Sequence, residues 1–304
     1  MPGRAGWQVE KMKIDRYGIA LACEGMGDCL YAIPVIRKLH AATRSTRVYD
    51  IFTKQPDLFQ SCPYVDRVYP FADGPLIQDY YRNNKLIQLF DLKKFEHWAM
   101  DTTDFISLPT GMGQLSFREK QLEYFPTEPD AAETFDVVLN TSRTWPSRSW
   151  PIEHWQRLAD ELAARGLSVA VVGKDVSSSS DALRKQSLPL QGCRNLVNAL
   201  SLDQTYYTIA KCRLFVSNQN GLSVLAGATD VEMIVLDMSI EWSKRAMYRQ
   251  ENPLHKFELV KGDCQIYCCS SDVCPEPSHK GQFKCVPGYD RVRGAVFRKL
   301  GLPG

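Results

Sequence analysis

The sequence lacks any apolar run long enough to cross a lipid bilayer, and its first residues lack the hydrophobic core of a signal peptide. It also lacks an excess of either charge, because 37 Lys and Arg face 35 Asp and Glu, for a net charge of +2. This balance gives no electrostatic reason to expect a nucleic-acid partner, although a local basic face is compatible with it. These absences exclude a membrane span and favour a cytoplasmic globular protein.

Two common ligand motifs are also missing. Gly25 and Gly27 begin like a dinucleotide-binding fingerprint, but Leu30 stands where the third glycine belongs. That glycine lets the helix pack closely on its strand, so the sequence argues against NAD as a cofactor. No Asp-x-Asp pair is present to hold Mg²⁺ beside a phosphate. A leaving phosphate would therefore be stabilised by arginines and backbone N–H groups.

Short apolar runs alternate with helical patterns along the chain, which is typical of parallel sheets covered by helices. Tyr17 to Cys23 and Arg47 to Phe52 are predicted strands, and a helix is predicted between them, from about Cys29 to Ala42. Leu86 to Phe90 and Thr102 to Leu108 are further candidate strands. The first part of the chain is thus predicted to form a βα assembly.

A polar, proline-containing segment, Pro126 to Asp130, separates this assembly from a second one. The second begins with a predicted strand at Phe135 to Leu139 and an amphipathic helix at Ile152 to Arg165. At 304 residues the chain is long for one core and fits two domains. The sequence predicts an α/β fold of two Rossmann-like domains, residues 1–130 and 131–304, whose parallel sheets face each other across a cleft.

The stretch from Cys212 to Ala228 combines an apolar strand, a polar break and a helix start rich in small residues. Leu214 to Val216 leads into Ser217 to Gly221, and the helix begins near Leu222. A helix start leaves several N–H groups unpaired at the positive end of the helix dipole, which suits a phosphate or carboxylate. An ordinary strand-to-helix turn without a ligand has the same pattern, so the stretch alone does not decide between the two.

Three polar loops follow predicted strands and should meet at the cleft, where open α/β sheets bind their ligands. They are Glu24 to Asp28, Asn140 to Trp150, and Ser217 to Gly221. Together they supply one carboxylate, two guanidinium groups and two hydroxyls, from Asp28, Arg143, Arg148, Thr141 and Ser142. This set suits a diphosphate held by arginine, with one base beside it. In the alternative interpretation, Asp28 caps its helix and the arginines are solvated loop charges.

Five of the ten cysteines crowd together near the end of the chain: Cys264, Cys268, Cys269, Cys274 and Cys285. Four thiolates suffice for a Zn²⁺ or Fe site, and a reducing compartment favours thiolates over disulfides. Free thiols and disulfides are the alternatives. A structural metal would pin a segment with few apolar residues, and we expect no catalytic role for it.

Three motifs resemble those of glycosyltransferase family 9, the ADP-heptose lipopolysaccharide heptosyltransferases. Gly25-Met26-Gly27-Asp28 followed by CLYAIPVIRKL resembles the family's N-terminal signature. The segment from Arg148 to Trp155 resembles the start of its second domain. Asn195-Leu196 and the stretch from Ser217 to Ala228 resemble its diphosphate loop. A subset of related autotransporter heptosyltransferases carries a Cys-rich iron-binding finger, which favours a metal at the cysteines here.

The resemblance implies a GT-B fold, with the acceptor bound by the first domain and a nucleotide-diphospho-sugar, ADP-linked by preference, bound by the second. It implies metal-independent, inverting transfer of a heptose or hexose to an acceptor hydroxyl. Asp28 matches the family's catalytic base, preceded by the acceptor-side loop of Gly25, Met26 and Gly27. The implied donor-binding positions are Thr141, Ser142, Arg143, Arg148, Gln219, Asn220, Gly221, Leu222 and Glu241. Glu241 would bind the ribose, or would be an exposed helix cap instead.

Two positions depart from the family pattern. Gln219 stands where the family commonly has an acidic residue, and Val224 where it commonly has a histidine. The first domain is also short for the family, so an atypical acceptor is compatible with the sequence. The rival functions are a transferase acting on a macromolecule, such as protein or modified DNA, and a non-catalytic nucleotide-sugar-binding protein on the same fold.

Overall fold

The computed structural model of the chain describes residues 15–22, 25–43, 46–71, 74–83, 85–90, 101–142, 146–175, 187–241, 245, 257–265, 269, 273–280 and 282–304. These residues form two parallel β-sheets with helices packed against them. None of the helices in these ranges is long and apolar enough to cross a membrane.

The first sheet is built from the N-terminal part of the chain, and its four strands are all parallel, in the order β3-β2-β1-β4. The strands are β1 (Asp15–Leu21), β2 (Arg47–Thr53), β3 (Arg67–Pro70) and β4 (Lys85–Phe90). The helices of this part are α1 (Met26–Leu30), α2 (Ile33–Thr43), α3 (Gly74–Asn83) and α4 (Thr102–Ser107). The carboxyl-terminal halves of β1 and β2 are fully buried, as expected for central parallel strands covered on both faces.

The second sheet has six parallel strands, in the order β10-β9-β8-β5-β6-β7. The strands are β5 (Val137–Asn140), β6 (Val169–Val171), β7 (Arg194–Asn195), β8 (Leu214–Asn218), β9 (Glu232–Asp237) and β10 (Phe257–Lys261). The helices are α5 (Ile152–Ala163), α6 (Leu202–Lys211), α7 (Gly221–Ala226) and α8 (Tyr289–Leu300). Every residue of β5 and β8 is buried, which explains their unbroken apolar runs.

One hydrophobic cluster joins the two sheets. It contains Ile19 and Ile51 from the first sheet and Val138 and Phe215 from the second. A separate cluster around Trp155 fills the other side of the second sheet. The two sheets therefore pack against a common core. The domain boundary that the sequence places at residue 130 stays a prediction, and no described strand crosses it.

Asp203, on α6, holds the segment that connects the two sheets. Its carboxylate accepts hydrogen bonds from the N–H groups of Thr127 at 2.8 Å and Glu128 at 2.9 Å, and from the hydroxyl of Tyr124. Burial acts to raise the pKa of Asp203, but these hydrogen bonds outweigh it and hold the pKa below its ordinary value. The polar segment between the two assemblies is thus tied to the second sheet's helices.

The prediction of a strand at Thr102 to Leu108 is wrong, because Thr102–Ser107 forms α4. The side chain of Asp101 accepts hydrogen bonds from the N–H groups of Thr103 at 2.9 Å and Asp104 at 3.1 Å. This N-cap satisfies donors that a helix start leaves unpaired. The N-cap at Asp101 thus stabilises a helix in a segment whose threonines favour a strand.

The prediction of one continuous helix from about Cys29 to Ala42 is also wrong. The segment forms α1 and α2, with a break at Tyr31 and Ala32. Pro34 has no N–H group with which to continue the hydrogen-bond ladder, so the helix restarts there instead of running through. The break leaves α1 as a short element at the end of β1.

Candidate functional site

The starts of α1 and α7 lie directly against each other, so the predicted acceptor-side loop meets the predicted diphosphate loop. A Cβ placed on Gly27 would lie 3.3 Å from the Cα of Gly221. A Cβ placed on Gly221 would lie 3.3 Å from the backbone nitrogen of Gly27 and 2.9 Å from the side chain of Met26. Both glycines therefore permit a close approach of backbones. Two motifs nearly 200 residues apart in the chain form one contact, as the separation of Gly27 and Gly221 shows.

We expect Gly27→Ala to disturb this contact. The new methyl group would lie 3.2 Å from Cγ2 of Val224 and 3.3 Å from the backbone of Gly221, so the two helices must separate. Overpacking of this kind costs about 1–3 kcal/mol in the free energy of unfolding, which urea denaturation measures. Gly294→Ala is the matched control, because its Cβ meets nothing within 4 Å in the middle of α8. That control should gain about 1 kcal/mol. A Gly27→Ala chain as stable as the wild type would contradict this close contact.

Asp28 lies in the first turn of α1 but does not cap it. The N-cap position is Gly25, and no side chain makes a cap hydrogen bond there, so the helix-cap interpretation of Asp28 is wrong. The carboxylate instead forms an ion pair with the guanidinium of Arg245. A Cβ on Gly25 would lie 2.6 Å from Oδ2 of Asp28, so this glycine makes room for the carboxylate. The side chain of Asp28 is 27% exposed, which leaves it accessible to a substrate.

Arg245 is a site residue that the sequence did not single out. It follows β9 in the chain and is separated from Asp28 by 217 positions. The hydroxyl of Tyr31, which is 2% exposed, donates a hydrogen bond of 2.8 Å to the main-chain oxygen of Arg245. Burial raises the pKa of Tyr31, so the hydroxyl stays protonated and remains a donor. The side chain and the backbone of Arg245 are thus both held by residues at the start of the first helical segment.

Arg148 ends a short 3₁₀ turn, Pro146–Arg148, that follows β5. Its guanidinium donates a hydrogen bond to the main-chain oxygen of Gln219. Burial, together with the positive charge of Arg245, lowers the pKa of Arg148 to about 10, while Asp28 acts in the opposite direction. Arg148 remains charged at neutral pH and lies near both Arg245 and Asp28. The sequence's interpretation of Arg148 as a solvated loop charge is wrong, and its role towards phosphate stays a prediction.

The loop between β8 and α7 is fixed by internal hydrogen bonds. The side-chain oxygen of Asn220 accepts from the N–H groups of Leu222 at 3.0 Å and Ser223 at 3.4 Å, and the hydroxyl of Ser223 accepts from the N–H of Asn220 at 3.1 Å. Nδ2 of Asn140 donates to the same Asn220 oxygen at 2.9 Å. Three N–H groups of this turn, those of Asn220, Leu222 and Ser223, therefore already have an acceptor within the protein. A donor phosphate would have to replace the Asn220 side chain to reach those of Leu222 and Ser223.

In the described ranges, the side-chain amide of Gln219 lacks the internal hydrogen bonds that the side-chain oxygen of Asn220 makes. It is 2% exposed, and among the described residues neither the oxygen nor the nitrogen of its side-chain amide has a hydrogen-bond partner. A buried amide left without partners costs about 1–3 kcal/mol, so native proteins rarely keep one unless a ligand or water satisfies it. Gln219 lies beside Arg148, which contacts its main-chain oxygen. The amide of Gln219 is therefore a group of this loop to which a bound ligand would supply hydrogen bonds.

The two predicted hydroxyl ligands are engaged elsewhere in the protein. The hydroxyl of Thr141 donates to the main-chain oxygen of Leu188 at 2.7 Å. The hydroxyl of Ser142 lies 2.6 Å from that of Ser187. Both partners, Leu188 and Ser187, come from the segment before β7. This segment is not among the three loops that the sequence predicts to form the site. Direct contact of either hydroxyl with a donor stays a prediction.

Two further predicted donor-binding positions are Glu241 and Arg143. Glu241 is partly buried, lies beyond the end of β9, and makes interactions of its own within the protein. Its role towards a ribose stays a prediction. Arg143 lies outside the residues that the structure describes.

The cysteine-rich segment lies behind the Arg148 turn. The thiol of Cys285 donates to the main-chain oxygen of Ser147 at 3.7 Å, and Nε1 of Trp150 donates to the main-chain oxygen of Pro287 at 2.8 Å. Burial raises the pKa of Cys285 to about 11, and the nearby thiols also raise it. Those thiols belong to Cys264, Cys269 and Cys274.

The described part of this segment does not fit a metal site. Sγ of Cys274 lies 3.2 Å from Nδ1 of His279, and the described cysteines are free thiols. Among the described residues no three Cys, His, Asp or Glu side chains are placed to hold a metal ion together. Cys268 lies outside those residues. The predicted Zn²⁺ or Fe ion is therefore not supported by this geometry.

Comparison with known protein families shows what the chain is similar to. Residues 94–236 match the family model described as glycosyltransferase family 9 (heptosyltransferase). The chain is 28% identical over 152 residues to lipopolysaccharide heptosyltransferase 2 of Escherichia coli. The aligned region covers 49% of this chain and 35% of that protein. The matched region thus spans about a third of the length of that curated relative.

Solved structures extend the likeness over nearly the whole chain. The iron-containing dodecameric glycosyltransferase TibC from enterotoxigenic E. coli has a TM-score of 0.68 at 14% identity, covering 95% of this chain and 80% of TibC. The ADP-heptose lipopolysaccharide heptosyltransferase II of E. coli has a TM-score of 0.58 at 14% identity, covering 93% and 98%. At such identities the likeness establishes the fold. Residues 94–236 are therefore similar in sequence to family 9 glycosyltransferases, and the chain as a whole shares the fold of these solved glycosyltransferase structures.

Proposed function

We propose that this protein is a metal-independent, inverting glycosyltransferase that moves a heptose from an ADP-linked donor to an acceptor hydroxyl. The observation that carries the proposal is the meeting of Asp28, Arg148 and Arg245 where α1 and α7 pack together. A carboxylate beside two guanidinium groups supplies both elements of the reaction, a base and partners for a diphosphate. The buried, unpartnered amide of Gln219 next to Arg148 adds a group for which a ligand would supply hydrogen bonds.

The comparisons support the choice of donor. A structure of TibC in complex with ADP-D-β-D-heptose has a TM-score of 0.68 to this chain at 14% identity, covering 96% of this chain and 78% of TibC. That complex describes TibC, and an ADP-linked sugar is the donor class it suggests here. The departures at Gln219 and Val224 concern the donor loop, so the identity of the sugar needs a direct test.

In the proposed reaction the acceptor oxygen attacks the anomeric carbon in one displacement. A new C–O bond forms as the bond from that carbon to the diphosphate breaks, and ADP leaves with the electron pair. Asp28 accepts the proton of the attacking hydroxyl. Arg148 holds the negative charge that develops on the leaving diphosphate. The attack comes from the face opposite the leaving group, so the configuration of the sugar is inverted.

We also propose a cytoplasmic setting, as the sequence predicts. All eight cysteines that the structure describes are free thiols, the state that a reducing compartment maintains. The proposed mechanism gives the cysteine-rich segment no catalytic part.

A thermal-shift comparison of ADP-heptose with ADP-, UDP-, GDP- and TDP-linked hexoses tests the proposal. A ligand that binds only the folded chain stabilises it by about 2.7 kcal/mol at a hundred times its Kd, which raises Tm by several degrees. We expect this rise with ADP-linked sugars alone. A rise with a different nucleotide alone would replace the ADP assignment, and no rise with any of them would contradict a nucleotide-sugar donor.

A further inference from the structure

Arg245 links the two halves of the candidate site. It belongs to the chain after β9 of the second sheet, yet its guanidinium pairs with Asp28 on α1, beside the first sheet. The arginine side chain is 13% exposed, so this ion pair is largely shielded from solvent. The buried hydroxyl of Tyr31 holds its backbone through a hydrogen bond of 2.8 Å. The pair therefore joins the segment after β9 to α1 through both a side-chain and a main-chain contact of Arg245.

This contact restricts the use of Asp28 as a base. The guanidinium of Arg245 occupies Oδ1 of the carboxylate, so that oxygen is not available to the hydroxyl of an acceptor. A general base must come within hydrogen-bond reach of the proton that it removes. While the pair is intact only Oδ2 is left for this contact, and movement of Arg245 to another anion would free Oδ1 as well.

A diphosphate is an anion that suits this exchange. Arg148 lies close enough to Arg245 for the two positive charges to influence each other, and Asp28 lies close to both. Guanidinium groups bind phosphate oxygens in a fork, and a diphosphate offers more oxygens and more negative charge than one carboxylate. A diphosphate placed against Arg148 would therefore compete with Asp28 for Arg245.

We propose that Arg245 is a positioning residue that exchanges Asp28 for the donor diphosphate when the donor binds, so that the base is released only in the donor-loaded enzyme. This inference rests on the proposed function and adds an order to it: donor first, then activation of the acceptor. A ligand shifts such an equilibrium only through its different affinity for the two states. Because this coupling is reciprocal, removing the Asp28 charge must strengthen donor binding by way of Arg245.

The test is the affinity for ADP, measured by calorimetry on four chains: wild type, Asp28→Asn, Arg245→Ala and the double variant. We expect Arg245→Ala to weaken ADP binding about tenfold or more. Asp28→Asn should tighten it by about three- to tenfold, because Arg245 is no longer held. In the Arg245→Ala background the same Asp28→Asn change should have little effect.

Simple repulsion between Asp28 and the phosphates predicts the opposite pattern. Without Arg245 to screen it, the carboxylate would repel ADP more strongly, so Asp28→Asn would then tighten binding more in the Arg245→Ala background than in the wild type. That outcome would overturn the exchange, as would an unchanged ADP affinity of folded Arg245→Ala. Should Arg245→Ala fail to fold, Arg245→Lys serves in its place, and the tightening by Asp28→Asn should then persist in smaller measure.

Two controls isolate the phosphates and the guanidinium. Adenosine, which has no phosphate, should bind all four chains alike, and a different affinity among them would overturn the exchange. Arg213→Ala removes an exposed arginine that pairs with Asp136 at 3.1 Å at the amino-terminal end of β8, and it should leave ADP affinity unchanged. Failure of ADP to bind the wild type would contradict the proposed donor and the exchange together, whereas ADP binding without coupling overturns the exchange alone.

Discussion

Asp28→Asn is expected to lower kcat for sugar transfer at least about 100-fold, because it removes the group that accepts the acceptor proton, and a positioned base contributes roughly 10²–10⁴ in rate. The amide keeps the size of the side chain, and the carboxylate is partly exposed, so the fold should be retained. The measurement is the release of ADP from ADP-heptose in the presence of acceptor, at saturating donor. ADP affinity should not fall, since the change removes a negative charge close to Arg148 and Arg245.

Asp57→Asn is the matched control for this variant. Asp57 is an exposed carboxylate of the same N-terminal part of the chain, in the turn after β2. It should transfer sugar at the wild-type rate. Full turnover by Asp28→Asn would remove Asp28 from the mechanism, and an equal loss in both variants would show that the assay reports general damage to the protein.

Arg148→Ala should weaken ADP binding about ten- to a hundredfold. Arg148 is partly buried and charged, and hydrogen bonds to charged groups contribute about 1.5–3 kcal/mol. A diphosphate that replaces water around this guanidinium gains most from such a site, because the surroundings screen the charge poorly. Titration of ADP, followed by calorimetry, measures the loss. Adenosine should bind with unchanged affinity, because it lacks the groups that Arg148 contacts.

Two variants separate this effect from structural damage. Arg148→Met fills most of the volume of the arginine stem and removes only the charge and its donors, so it should lose ADP affinity as Arg148→Ala does while unfolding at a higher urea concentration. Arg194→Ala removes an exposed arginine that pairs with Glu133 at 2.9 Å, and it should bind ADP normally. An unchanged ADP affinity in folded Arg148→Met would exclude Arg148 from donor binding.

The sheets could be predicted because their central strands are short, unbroken apolar runs. Leu214 to Val216 and Val137 to Leu139, the latter within the strand predicted at Phe135 to Leu139, have this character, and both lie in fully buried parallel strands of the structure. The helix at Thr102–Ser107 could not be predicted in the same way, since it depends on the cap that Asp101 provides. The edge strand at Phe257–Lys261 was missed, and it pairs only with β9 among the described strands.

Much of the candidate site follows from one rule. Asp28 and the turn before α7 each follow a strand of a parallel sheet, so both were expected at the edge where such sheets bind ligands. The pairing of Asp28 with Arg245 could not be foreseen, because it depends on how the two sheets pack and Arg245 lies well beyond the end of β9. The sequence predicts a site residue, Glu241, in the segment after that strand. The only signal for Arg245 was that it is a basic residue four positions later in the same segment.

The internal partners of the loop residues were also beyond prediction. Thr141 and Asn220 are polar residues in loops that carry function in many proteins, and nothing local shows that Leu188 will pair with the hydroxyl of Thr141 or Asn140 with the side-chain oxygen of Asn220. Gln219 differs because its buried side-chain amide has no hydrogen-bond partner within the part of the chain that the structure describes. Only the packed structure distinguishes these two cases.

A crystal structure of the chain with ADP-heptose tests most directly whether the two loops at the α1–α7 contact form one active site. The account predicts the diphosphate within hydrogen-bond distance of Arg148 and Arg245, and the anomeric carbon facing a carboxylate of Asp28 that is free of its arginine. A nucleotide bound away from this contact, or one seated there with the Asp28–Arg245 pair intact and the sugar turned away from Asp28, would contradict it.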